Sequence, residues 1–167
     1  MRARRLLPLC LLAVSLFSGA HVQADAPVPF KGSWTGVTTS AVILDPSQPV
    51  VTIVSEGSGQ LTHLGAYTMY SPHTSNIANG FTEGEQIFTA ANGDMLTAYC
   101  EGTPVFDFLT GIVIGTLDCE FTSGTGRFEG VTGNYEFSIV STLLPEPLPN
   151  GLPGFSTEAT ITGDINN

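Results

Sequence analysis

Positive charge is scarce in this chain of 167 residues. Five Lys and Arg stand against fifteen Asp and Glu, and three of the five, Arg2, Arg4 and Arg5, precede the apolar run 6–17. A basic start, an apolar stretch and small residues at Ala20, Ala24 and Ala26 form the layout of a secretory signal peptide. Cleavage after Ala24, with Val22 and Ala24 at the small-residue positions, gives a signal peptide of 1–24 and a domain of 25–167. A membrane anchor would need about 20 apolar residues, more than this run supplies. A lipoprotein would need small residues before its cysteine, whereas Cys10 follows Pro8 and Leu9. The expected location is therefore the periplasm or the medium. Cleavage leaves Lys31 and Arg127 against all fifteen acids, a net charge of −13. Such a surface repels nucleic acid and anionic lipid, and nucleic-acid binding, which needs a basic face, is excluded.

Other absences narrow the chemistry. No later segment is apolar and long enough to span a membrane, so stable insertion is not expected. No stretch keeps a long 3.6-residue hydrophobic period, which removes amphipathic helices. There is no CxxC, and after cleavage only His63 and His73 remain as nitrogen ligands. A zinc site lacks a third ligand at useful spacing, so neither a metal nor another cofactor is expected. A serine nucleophile has no GxSxG elbow, and "EGSGQ" reads as a turn. The glycine-rich stretch "GTGRFEGVTG" (124–133) lacks the lysine of a phosphate loop. Its G-T-G-R-F-E-G spacing is also one residue too long for a dinucleotide fingerprint. It reads instead as a corner whose glycines take φ > 0, with Phe128 tucked inward. Arg127 there is either an ion-pair partner for nearby acids or a ligand clamp.

What is present is β-structure. Thr, Val and Ile recur in short runs broken by glycine and proline, a composition suited to strands. "GIVIGTLDCEF" alternates Val113, Gly115, Leu117, Cys119 and Phe121 with Thr116, Asp118 and Glu120. "NYEFSIVSTLL" and "FSTEATITGDI" repeat the pattern, which marks half-buried antiparallel strands. Asn92-Gly93 between "FTEGEQIFTA" and "DMLTAYCEG" is a strong hairpin signal. Seven or eight strands in sequence predict an all-β domain: an eight-stranded antiparallel barrel, which removes its own edges, or a β-sandwich as the alternative.

Two cysteines survive cleavage. Cys100 shares parity with Leu96 and Ala98, and Cys119 lies on the apolar face of the next long strand. Their midpoint falls near Leu109, inside "TPVFDFLTG". Antiparallel neighbours joined there would set the two opposite each other, and an exported protein with two cysteines usually pairs them. A Cys100–Cys119 disulfide is expected.

Three short stretches carry a resemblance. "GTGRFEGVTG" before an alternating strand resembles the glycine-rich corner of the allene oxide cyclase and dirigent-like barrels. "GQLTHLG" (59–65) and "FTAANGD" (88–94) are similar to segments of secreted bacterial proteins with that corner. The resemblance implies an eight-stranded barrel with a central cavity, often assembled as a homodimer or homotrimer. Plant relatives steer cyclisation or radical coupling, and some bacterial relatives are cyclases. No catalytic residue of those enzymes maps onto this chain, so the catalytic residues are left unassigned. No acid–base or nucleophilic set stands out either: Glu83 with Glu85, and Glu101 with Glu120, belong to the water-facing side of their strands. The reading leans away from catalysis, toward a secreted barrel that holds a small apolar molecule without transforming it. A cofactor-free cyclase or isomerase, or a matrix or surface component, is the alternative. Alternation and the resemblance point to His63, Tyr67 and Tyr99 as the polar wall of the ligand site, with Arg127 as a fourth contact. Trp34, the one tryptophan, is a core or mouth anchor.

Overall fold

A computed structural model describes residues 26–166. The expected signal peptide, 1–24, lies outside them. The alternating segments form nine strands: β1 (Val28–Val42), β2 (Val50–Leu61), β3 (Gly65–Asn76), β4 (Thr82–Ala90), β5 (Met95–Gly102), β6 (Val105–Asp107), β7 (Ile112–Gly124), β8 (Thr132–Leu143) and β9 (Phe155–Asn166). One single-turn 3₁₀ helix, Gly126–Phe128, lies between β7 and β8. Pairing runs β5-β4-β3-β2-β1-β9-β8-β7, and β5 pairs in turn with β7. Eight antiparallel strands thus close into a barrel, with β6 a short extra strand on the end of β7. The sandwich alternative is set aside. The leader "VPF" belongs to β1 rather than preceding it, because Val28 pairs with Ile165 of β9.

The closing seam lies between β5 and β7. Cys100 stands directly opposite Cys119 there, and the two form a disulfide. The register argument placed it correctly because both cysteines face inward with Leu96, Ala98, Leu117 and Phe121, all of them buried.

Barrels of eight strands are just wide enough for side chains to fill the interior, or for it to hold one small ligand. The end where β1 begins and β9 finishes is filled. Phe30 is the hub, with ring centroids 5.0 Å from Phe121, 5.5 Å from Tyr135 and 6.3 Å from Phe88. Edge and tilted contacts of this kind add to the hydrophobic gain of burying such rings. Leu61, Leu64, Phe128 and Val131 complete the plug from the turns.

The three glycine stretches meet at this end. Gly126 (φ 59°) and Gly130 (φ 77°) adopt the left-handed conformation expected of a corner, and Phe128 is buried between them. Arg127 Nε lies 3.8 Å from an Asp94 carboxylate oxygen in the β4–β5 hairpin. Its guanidinium donates to the Leu64 carbonyl at 3.5 Å in the β2–β3 turn and lies over the Phe128 ring. One cation thus ties together the turns between β2 and β3, β4 and β5, and β7 and β8.

Outward positions mix polar and acidic residues with exposed apolar ones such as Val37, Ile114 and Val140. Glu83, Glu101, Asp118 and Glu136 are direct cross-strand neighbours over β4, β5, β7 and β8. Like charges opposite one another weaken a sheet, so this wall is held by the interior, not by its surface pairs.

Candidate functional site: the cavity at the open end

Beyond the aromatic plug the inward positions turn small. Gly36 on β1, Gly57 and Ser55 on β2, Ser71 on β3, Gly84 on β4, Gly102 on β5, Gly115 on β7, Ser141 on β8 and Thr157 on β9 follow the strand alternation set by the core residues. They cannot fill the same cross-section. A cavity of about 740 Å³ results, within the range of small-molecule sites.

The cavity has three levels. Its floor is Trp34, Met69, Gln86 and Phe137. Above lies a belt of hydroxyls from Thr38, Ser55, Ser71, Ser141 and Thr157. The mouth is apolar, with Val51, Ile53, Ile77, Phe106, Phe108 and Phe155. Phe106 packs edge-on against Phe108 and Phe155 at 4.6 and 6.1 Å. The β8–β9 loop is fastened beside the mouth by Asn150, which donates to the Ala41 carbonyl at 2.6 Å. Phe108 and Leu109 on the rim are 85% and 97% exposed, so apolar surface continues from the interior onto the rim.

All seven buried Ser, Thr and Gln side chains among the described residues line this cavity: Thr38, Ser55, Ser71, Thr82, Gln86, Ser141 and Thr157. Some are paired. Ser141 and Thr157 hydroxyls lie 2.8 Å apart, as do Ser75 and Thr82. The Thr38 hydroxyl accepts from the Phe155 amide at 3.2 Å. Gln86 Oε1 accepts from the Tyr135 hydroxyl at 2.8 Å. Ser55 and Ser71 face each other across β2 and β3. Trp34 Nε1 is the one side-chain polar atom among the described residues that is sealed off and has no partner. Buried polar groups are almost always hydrogen-bonded.

His73 stands on the cavity wall above Ser71. Its Nδ1 lies 3.1 Å from the Ser71 carbonyl, a contact that requires Nδ1–H as the donor and leaves Nε2 as an acceptor. Burial pushes the imidazole below its ordinary value, against the smaller opposing effect of that hydrogen bond, and so favours the neutral ring. The opposing strands place Ile53 and Gly84 against it.

The residues expected from sequence to form the ligand wall do not line the cavity, nor do they come together. His63 is exposed in the β2–β3 turn at φ 68°, its Nε2 3.2 Å from the Pro29 carbonyl. Tyr67 is buried in the plug and donates to the Ser33 carbonyl at 3.0 Å, and burial raises its phenol well above the usual value. Tyr99 alternates with the inward Ala98 and Cys100 and so points outward. Its hydroxyl donates to Glu83, and that bond, more than burial, raises its phenol. Arg127 serves the corner as an ion-pair partner. The carboxylates weighed as acid and base stand at outward parity, though Glu83 and Glu85 also border the cavity on either side of Gly84. Among the described residues no group of three or more His, Cys, Asp or Glu could hold a metal ion.

Comparison with family models, with curated proteins and with solved structures found no match.

Proposed function

We propose that this is an exported binding protein whose barrel takes one small apolar molecule through the open end and holds it unchanged. The observation that carries this reading is the segregation of every buried Ser, Thr and Gln among the described residues into the wall of one mostly apolar cavity. Binding sites combine apolar walls with a few placed polar groups in this way. The apolar rim supports entry of an apolar guest. The disulfide is compatible with an oxidising compartment. The acidic outer wall is the reverse of the lipid-facing apolar band of a membrane barrel and supports a protein that works in water. The closed eight-stranded architecture agrees with kinship to the allene oxide cyclase and dirigent-like barrels, the family reading adopted here.

The test is a fluorescence titration of protein 25–167 with N-phenyl-1-naphthylamine, followed by mass spectrometry of the native protein for co-purified small molecules. Probe fluorescence should rise saturably in the parent and fail to rise in Ile139→Trp, which fills the cavity. No rise in the parent, or an equal rise in a folded Ile139→Trp, overturns the proposal.

His73 favours a second reading. A neutral imidazole with a free Nε2 in an apolar chamber has the properties of a general base, which suits a cofactor-free isomerase or cyclase. Product formed from a bound compound by the parent but not by His73→Gln, with binding retained, would replace the carrier reading by this one.

A further inference from the structure

Four donors without partners face the chamber from the adjacent strands β1 to β4. Trp34 Nε1 is an orphan donor on a side chain 3% exposed. Its ring edge next to the nitrogen lies over Gly36, whose missing Cβ lets the indole lean toward the hydroxyl belt. Gly36 pairs with Gly57, the inward neighbour of Ser55 on β2. Ser55 and Ser71 stand opposite each other with no hydrogen bond from either hydroxyl among the described residues. Gln86 spends its carbonyl oxygen on Tyr135, so its amide N–H groups remain. Four donors therefore converge on one region, and none of the four is charged. The two cations that follow the expected signal peptide, Lys31 and Arg127, stand on the filled end.

We propose that the guest is an uncharged, largely apolar carbonyl compound (a ketone, ester or lactone) whose carbonyl oxygen enters first and accepts two or three hydrogen bonds from the set Trp34, Ser55, Ser71 and Gln86. The inference rests on the cavity being a binding site, and adds the guest's chemistry to it. A carbonyl oxygen is an acceptor and satisfies donors. A carboxylate would be buried with no cation to offset its desolvation, which is expensive. A plain alkane would leave the donors unpaired. Trp34 Nε1 is covered by its neighbours, so the oxygen reaches it as a floor side chain shifts. Met69, unbranched and adaptable, is suited to that movement.

Three probes of one length separate the possibilities: 2-undecanone, undecane and undecanoate, each titrated at neutral pH by displacement of N-phenyl-1-naphthylamine. In the parent the ketone should bind about tenfold more tightly than the alkane, as two or three modest hydrogen bonds provide, and the carboxylate more weakly than either. Trp34 is also the only tryptophan, so its emission should shift with the ketone and not with the alkane. In Trp34→Phe and in Ser55→Ala/Ser71→Ala the ketone's advantage should disappear while undecane affinity holds. The two serine changes remove little buried volume and keep the experiment decisive if Trp34→Phe does not fold. Equal affinity for ketone and alkane overturns the carbonyl inference and leaves the binding site standing. So do tightest binding of the carboxylate and an equal loss for ketone and alkane in both variants. Failure of the dye itself to bind overturns the binding reading beneath it.

Discussion

Phe30 and Thr38 lie on the same strand and face the same interior, yet they belong to regions built differently. Around Phe30 the cross-section is closed by Phe88, Phe121 and Tyr135, with no buried hydroxyl needing a guest. Around Thr38 the inward neighbours are Ser55 opposite it and the Gly36–Thr157 pair beside it, and a cavity takes the centre. Eight strands do not themselves decide between these outcomes. The choice is made by side-chain volume at positions of one parity. The filled end holds the barrel together, so the open end is free to carry glycines, hydroxyls and an unpaired indole at a cost the plug can offset.

The largest expected effect sharpens that contrast. Phe30→Ala should destabilise by about 3–5 kcal/mol, as for other buried phenylalanines. Ile53→Ala, facing space that is already empty, should cost about 1 kcal/mol because little contact is lost. Urea midpoints of the two variants measure it, and equal losses would erase the distinction between the ends. Next comes the seam. Replacing both Cys100 and Cys119 by alanine should cost ~3 kcal/mol on the loop-entropy model for a closed loop of this length. Intact-mass analysis after alkylation without reductant should find no free thiol in native material.

The corner should respond less. Gly126→Val forces a branched residue into the left-handed region and into the Asp94 carboxylate, whereas Gly130→Val meets open space and is strained only in its backbone. Losses of about 1–3 kcal/mol are expected, larger for Gly126, and thermal melts would rank them. Arg127→Ala should cost about 1 kcal/mol or less, since its ion pair is half-exposed and such pairs contribute little.

The smallest effect is pH-dependent and belongs to the open end. Burial lowers the folded-state value of His73 below that of the unfolded chain, so the unfolded state takes up the proton first. The contribution of neutral His73 is fully present above the unfolded value, about 6.5. It is lost as pH falls from there through the folded value. The groups facing it, Ile53 and Gly84, do not titrate, and Glu83 and Glu85 lie on the opposite face of β4. A denaturation series should show stability falling below about pH 6.5, with a shallower fall in His73→Gln. An unchanged slope would mean that the imidazole is as well solvated as in the unfolded chain.

These contrasts also explain what could be read from the chain alone. Period-2 alternation depends on neighbours in sequence, so strands, faces and the Cys100–Cys119 register were legible. Tyr99 could have been placed too, since it sits between two residues assigned to the inner face. The site was harder. Which end of a barrel is filled depends on sums over eight strands that are distant in sequence. The stretches that drew attention, around His63, Gly93 and Arg127, are distinctive because tight turns demand unusual residues, and all three turned out to brace the plug. The signal that was missed is quieter: Ser55, Ser71, Ser141 and Thr157 at inward parity, where larger apolar residues would be expected.

Val28 pairs with Ile165, so β1 enters and β9 leaves the barrel side by side, at the filled end. A handle added at either point would hold the molecule by its base. Immobilised on a bead or fused to a reporter, the barrel would stand like a cup with its opening turned toward the solution. A short linker from β9 back to β1, with new ends cut in the proline-rich β8–β9 loop, would invert that orientation without changing a single strand neighbour.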